Sequence, residues 1–537
     1  MKTIFYGGRV YTGSFPLQQA FVVENGVFTF VGSSQEALGM FAEGDEKVPL
    51  GGAFVCAGFN DSHMHVMNYG QALQNAQLNL HTDSLENMVQ YFAAFAAEHP
   101  GDGWLNGRGW NQDNFTDVSR MPNRRDLDRV SSTRPVCAVR CCGHALAVNT
   151  AALQLLGITA QTPCPDGGEI GMENGEPNGL FFDNAMELVS GAMASATKEQ
   201  AKDMIRAACR SLNSYGVTSA QSDDYFVAPA LGWRGINEAF AELEAAGELT
   251  VRVCEQANFD TLQELREFVQ SGERERYQSD RFKIGPLKML GDGALGARTA
   301  YLSRPYADDP ATQGLPVFTQ QTFDEMIGYA NEQGMAVAIH AIGDGCLDRV
   351  LAAIEKALAA HPRTDHRHGI VHCQVTRPDQ LKKIAELGLH IYAQSIFLDY
   401  DTRILTARVG EELAASSYCW KTLLDAGCRV SNGTDCPVEL PFALGGIQCA
   451  VTRRDLAETV APHLPAEAFS VKQALDSYTE AGAYASFEEH KKGRIAAGML
   501  ADFVVLGEDI FSVEKNTIKD ITVLTTYVGG EKVDAAK

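Results

Sequence analysis

The chain has 537 residues, 45% hydrophobic and 21% charged, with a formal net charge of −23 at pH 7. That is the composition of a soluble globular protein with room for a large core, and its acidic balance excludes nucleic acid as a default partner. The 13 cysteines form no CxxC pair, and Cys137, Cys141 and Cys142 lack zinc-finger spacing, so they read as reduced thiols of a cytoplasmic protein.

The opening segment, MKTIFYGGRVYTG, alternates like a strand and lacks the apolar stretch of a signal peptide. No run of 18 apolar residues follows anywhere, so no membrane contact is expected. QAFVVENGVFTFVGS continues the alternation around a Glu-Asn-Gly turn. At the far end ADFVVLG and DITVLTTYVGGEKV alternate in the same way around Gly-Gly. Strands at opposite ends can pair into one composite domain, here residues 1–52 with 488–537, which brings the termini together.

Between the ends, eight short apolar runs alternate with helical patterns. They are AFVCAGFNDSH, GVTSAQSDD, LTVRVCEQA, FKIGPLKML, GMAVAIHAIGD, HGIVHCQV, GLHIYAQS and CRVSNGTDC. Helices stopping at Gly216, Gly247, Gly334, Gly388 and Gly427 precede several of these runs. Strand–helix alternation implies parallel pairing, and eight units imply an α/β fold of the (β/α)8 TIM-barrel type over residues 53–74 and 196–487. Residues 75–195 are too many for one crossover, so they read as a subdomain inserted after the first strand, covering the active-site face.

Chemistry-bearing residues recur at the C-terminal ends of these runs, where a barrel of this kind keeps its active site. The first run ends in His63 and His65, two residues apart and so on one face of a strand. The fourth carries Lys288, the fifth ends in His340, the sixth in His372 and the eighth in Asp435. Imidazoles converging from several strands fit a divalent metal without naming it. A carboxylate beside that metal can ligate it or move protons. A lysine inside an apolar strand needs a partner or a modification. Asp292 or another acid, a Schiff base and carboxylation by CO2 all satisfy that need.

The stretch LKMLGDGALGARTA also contains Gly291-x-Gly293-x-x-Gly296, the spacing of a dinucleotide-binding fingerprint. That motif requires a helix opening at the glycines, whereas ARTAYLSRPYADDP follows here, so an NAD-dependent oxidoreductase is the poorer reading. A tight loop passing close to the site is the better one. A non-enzymatic binding protein on the same fold is a further alternative, against which the full ligand set argues.

The chain resembles the amidohydrolase superfamily, and specifically its family 3 branch, which includes N-substituted formamide deformylases. The resemblance covers nearly the whole sequence through GFNDSHMH, RGWNQDNF, GHALAVNTAAL, GGEIGMENGEPNGL, KMLGDGALGARTA, HAIGDGCLDRVL, VHCQV, GTDCPVE and GRIAAGMLADFVVL. It implies a metal-binding barrel flanked by a β-sandwich made from both termini. His63, His65, His340, His372 and Asp435 match the metal positions, and Lys288 matches a position where many members carry a carboxylated lysine bridging two metals. One or two divalent ions, zinc by preference, are therefore expected. The implied reaction is hydrolysis of a non-peptide C–N bond, an amide or formamide, by water activated on the metal, with Asp435 as base and then acid. Deaminase, lactonase and carbamate hydrolase chemistry use the same site type. His144, Trp110, Asn111 and Arg298 are candidates for substrate contact. A small-molecule substrate and a homodimer are the expected partners. Ala57 and Cys373 depart from the common pattern without touching a ligand.

Overall fold

A computed structural model describes residues 1–140, 145–165, 168–191 and 196–533. They form two compact units, Met1–Met67 with Ala208–Lys537, and Asn68–Ala207. The first contains a parallel sheet of eight strands in sequential order: Phe59–Met64 (β1), Val217–Ser222 (β2), Arg252–Asn258 (β3), Phe282–Leu290 (β4), Val337–Ala341 (β5), Gly369–His372 (β6), His390–Ala393 (β7) and Val430–Asn432 (β8). Each of the eight runs contributes one of these strands. The circle is closed at its C-terminal rim, where Asp435 N–H donates to the His63 carbonyl and His65 N–H to that of Cys436, both at 2.8 Å.

The helices between strands are amphipathic. In Asp344–Ala360 the buried Leu347, Val350, Leu351, Ile354 and Ala357 recur at helical spacing, giving one apolar stripe against the sheet. Thr261 caps Leu262–Ser271 by accepting the Glu264 N–H, and Pro378 opens Pro378–Glu386 at the position where a missing N–H costs nothing.

Both chain ends meet in one eight-stranded sheet. Its order is Glu531–Val533, Val523–Val528, Phe503–Leu506, Phe54–Ala57, Lys2–Val10, Gln18–Glu24 and Val27–Gly32, with Glu46–Pro49 beside Lys2–Val10. One face buries Phe5, Phe21, Phe28, Val55 and Phe503, and the other buries Ile4, Ala20 and Val22. The Glu-Asn-Gly turn is a two-residue hairpin loop with Asn25 (φ 52) and Gly26 (φ 78) both left-handed, as the strand twist requires.

The first run is not one strand but two. Phe54–Ala57 pairs with Phe503–Leu506 in the terminal sheet, and only Phe59–Met64 enters the barrel. The switch falls at Gly58, where a Cβ would lie 2.2 Å from the Thr218 side chain, so only glycine passes there. Nearby, Arg252 at the start of β3 donates to both Asp502 oxygens at 2.5 and 2.9 Å, with both side chains buried. Asp502 also accepts the Gly529 N–H at 2.8 Å, so this pair ties the C-terminal return to the barrel.

The second unit contains a mixed sheet ordered Gly168–Glu173, Glu176–Asp183, Ala145–Val148, Val136–Arg140, Leu105–Trp110 and Ala76–Gln77. The helix Leu85–Glu98 buries Leu85, Met88, Val89 and Phe92 in a core shared with Trp110 and Leu127. No helix among the described residues is long and apolar enough to cross a membrane.

Candidate metal centre

The rim of the barrel gathers His63, His65, Lys288, His340, His372 and Asp435. Ligand atoms of His63, His65 and Asp435 lie within 4.8 Å of one another. The Nε2 atoms of His65 and His63 stand 3.0 and 3.4 Å from Asp435 Oδ1. On the adjoining side His372 Nε2 lies 2.9 Å from His340 Nδ1. The His63 ring packs edge-on against that of His372 at 5.8 Å between centroids, joining the two groups.

Each imidazole is oriented from behind. His63 Nδ1 faces Gln256 Oε1 and His372 Nδ1 faces Gln394 Oε1, both at 2.8 Å. His65 Nδ1 donates to the Asp223 carbonyl at 2.9 Å, and His340 Nε2 to that of Gly293 at 3.2 Å. An acceptor at one ring nitrogen places the proton there and leaves the other nitrogen's lone pair toward the centre. The inward atoms are therefore Nε2 of His63, His65 and His372, and Nδ1 of His340. Two lone pairs facing each other at 2.9 Å, as in His340 and His372, are repulsive unless a cation or proton lies between them. This donor set fits a divalent metal.

Electrostatics keep His63 and His372 neutral and set His65 apart from them. Burial, with Lys288 adding its charge, pushes His63 well below the ordinary histidine range. Burial and the neighbouring His340 do the same to His372. Burial opposes charge on His65 too, but the hydrogen bond and charge of Asp435 prevail and hold it up at about 9. Asp435 is also buried, yet its contact with His65 and the other imidazoles keeps its carboxyl far below the usual range. His372 (φ 74), Cys373 (φ 51) and Asp435 (φ 56) take left-handed backbone, the kind of strain that turns chain sharply at functional sites.

Lys288 is buried and donates to Asp223 Oδ2 at 3.1 Å. Asp292, the acid named by sequence proximity, instead accepts the backbone N–H groups of Tyr301, Ile342 and Gly343 at 2.8–3.0 Å. The glycine loop serves the centre rather than a nucleotide. Gly291 N–H donates to the His340 carbonyl at 3.0 Å, a Cβ there would meet that oxygen at 2.4 Å, and the next helix is Gln320–Glu332.

Three of the remaining candidates make local contacts. Trp110 is fully buried in the core of the second unit, its indole N–H donating to the Ala138 carbonyl at 2.9 Å. Asn111 caps the turn Gln112–Asn114 and accepts from Arg140 at 3.0 Å. Arg298 forks onto both oxygens of Asp308 at 2.9 and 3.0 Å. His144 lies outside the described residues.

The profile of the amidohydrolase family matches residues 47–534. The chain belongs to that family. It is 33% identical to the putative amidohydrolase YtcJ of Bacillus subtilis, with 99% of each chain covered. It is 26% identical to the N-substituted formamide deformylase of Arthrobacter pascens over 95% of this chain and 94% of that one. An uncharacterized metal-dependent hydrolase from Pyrococcus horikoshii superposes with a TM-score of 0.78 at 27% identity, covering 96% and 99% of the two chains. This amidohydrolase is thus a hydrolase, its family and neighbours imply a divalent metal, and His63, His65 and Asp435 form a group that could hold one.

Sequence reasoning passed over Gln256, Gln394 and Asp223, which hold the first layer of this amidohydrolase centre in place. Their signal was present: each ends a counted run, in CEQA, YAQS and QSDD. Phe397, stacked on His372 at 5.8 Å, and the exposed Phe226, edge-on to His65 at 5.5 Å, had no such marker.

Proposed function

We propose that the protein hydrolyses a non-peptide C–N bond in a small amide, with N-substituted formamides as the first class to test. The observation that carries this reading is the convergence of four inward imidazole nitrogens with Asp435 at one barrel rim. His63, His65, His340, His372 and Asp435 would hold the metal, and imidazole-rich sites suit zinc. Such an ion supplies Lewis acidity, polarising a carbonyl oxygen and making water more acidic.

The chain's own groups supply the rest. Asp435, ionised and held by His65 at 3.0 Å, accepts the proton of the attacking water at a carboxylate oxygen and returns it to the leaving nitrogen. Gln256, Gln394 and the carbonyls of Asp223 and Gly293 fix the imidazoles so that no reorientation accompanies the reaction.

Lys288 completes the proposal as a carbamate formed with CO2. An ammonium here opposes a dication, and its charge adds to the burial that depresses both His63 and His372. Carboxylation exchanges that cation for an anion with two ligating oxygens, which favours two ions per chain. We place the protein in the cytoplasm because the described cysteines are all free.

A screen of metal-loaded protein against N-formyl, N-acyl and cyclic amides tests the reaction. Turnover of amides, lost in Asp435→Asn, is expected. Turnover confined to lactones or amino-heterocycles would overturn the C–N amide assignment. For Lys288, uptake of 13C-labelled bicarbonate as a carbamate signal is expected, and its absence in the metal-loaded protein would remove the bridging role.

A further inference from the structure

The opposite end of the barrel holds a second feature. The N-terminal ends of β4 and β5 border a cavity of about 200 Å3 lined by Arg274, Lys283, Arg363, Gln278 and Ser486 among others. Its lining holds three cations and no acidic side chain, in a chain whose net charge is −23. Lys283 and Lys288 share β4, five residues apart, so the cavity lies roughly 16 Å along the strand from the metal centre.

None of the three cations is neutralised by a hydrogen-bonded carboxylate among the described residues. Arg274 donates to the carbonyls of Gln333 and Gly334 at 3.2 and 3.1 Å. Arg363 donates to those of Met335 and Gly334 at 3.0 and 3.2 Å and to Asn331 Oδ1 at 3.5 Å. Lys283 donates to the Ser486 carbonyl at 2.8 Å. Acids act on them only from a distance: Glu275 on Arg274, Asp365 on Arg363 and Glu488 on Lys283, with Asp365 pairing with Arg367 at 2.8 Å and Glu488 with Lys492 at 2.9 Å.

Two guanidiniums sharing the Gly334 carbonyl repel each other. Burial lowers the pKa of both, and Arg274's charge lowers that of Arg363 further. Capping the end of Gln320–Glu332 accounts for the carbonyl contacts. It does not account for Lys283, which reaches the cavity from another element, or for the guanidinium N–H groups left over, since each guanidinium carries five.

We propose that this cavity binds a compact polyanion, a small molecule bearing a phosphate or two carboxylates, independently of the hydrolytic site. Arginine forks match the oxygens of both groups, and the bound anion would relieve the repulsion among the three cations.

Full-length, metal-loaded protein titrated calorimetrically with inorganic phosphate and, separately, with succinate at fixed ionic strength tests this. Saturable binding of at least one anion is expected, weakened by about ten-fold or more in the double variant Arg274→Gln/Arg363→Gln, as loss of charge-assisted bonds implies. Lys283→Gln, which keeps both capping arginines, should weaken it less while leaving melting temperature and metal content unchanged. Binding of phosphate alone assigns a phosphoryl ligand, and binding of succinate alone a dicarboxylate. No saturable binding, or equal affinity in the parent and the variants, would overturn the site; equal affinity would mean that the anion sits elsewhere, as on the metal. If the double variant does not fold, Lys283→Gln decides alone, and an unchanged affinity there overturns the proposal.

Discussion

The two ends of β4 place two lysines in opposite company. Lys288, at the C-terminal end, is buried among imidazoles and pairs with Asp223. Lys283, at the N-terminal end, donates to a backbone carbonyl beside two arginines. One end gathers lone pairs and carboxylates suited to a cation, and the other gathers cations suited to an anion. A parallel barrel makes this separation possible, because every strand points its C-terminus, and the loop that follows, to the same rim.

The largest effect is expected at Asp435. Asp435→Asn should lower turnover by about 10²–10⁴-fold, the usual worth of a general acid–base group, while the protein stays folded. Turnover per bound metal measures it. A smaller effect belongs to the supporting layer at the same rim. Gln256→Leu or Gln394→Leu should cost about 10–100-fold in metal affinity, read by competition with a chelator, because the imidazole behind each loses its anchor.

The lower end should respond in stability and not in chemistry. Asp502→Ala leaves Arg252 buried without its partner and should cost about 3–5 kcal/mol in denaturant unfolding, with metal content per folded chain unchanged. The smallest effect is expected at Thr261, where Thr261→Ala removes a helix cap for about 1 kcal/mol and touches neither end's ligands.

Much of this arrangement was legible in the sequence. The eight runs and their terminal residues were readable because parallel strands buried on both faces are apolar up to the residue where the chain reaches the rim. His63, His65, His340, His372 and Asp435 stand out there as polar side chains ending apolar runs. Gln256 and Gln394 occupy the same kind of position, but a glutamine amide does not advertise metal chemistry. The division of the first run at Gly58 was hidden, since both halves are apolar and only a three-dimensional contact with Thr218 separates them. Asp223 as the partner of Lys288 was also out of reach: 65 residues separate them, whereas Asp292 lies nearby in sequence and spends its carboxylate on backbone N–H groups. The basic cavity escaped for the same reason, as Arg274, Lys283 and Arg363 come from three separate segments.

If the rim histidines and Asp435 hold the metal on which hydrolysis depends, removing either the ligands or the metal abolishes turnover. Elemental analysis of the purified protein, repeated on His63→Ala and His340→Ala and paired with amide turnover before and after chelation, tests it most directly. Bound divalent metal is expected in the parent protein, with its loss in both variants and turnover that disappears on chelation and returns with zinc. Undiminished amide hydrolysis by the chelated, metal-free protein would contradict it.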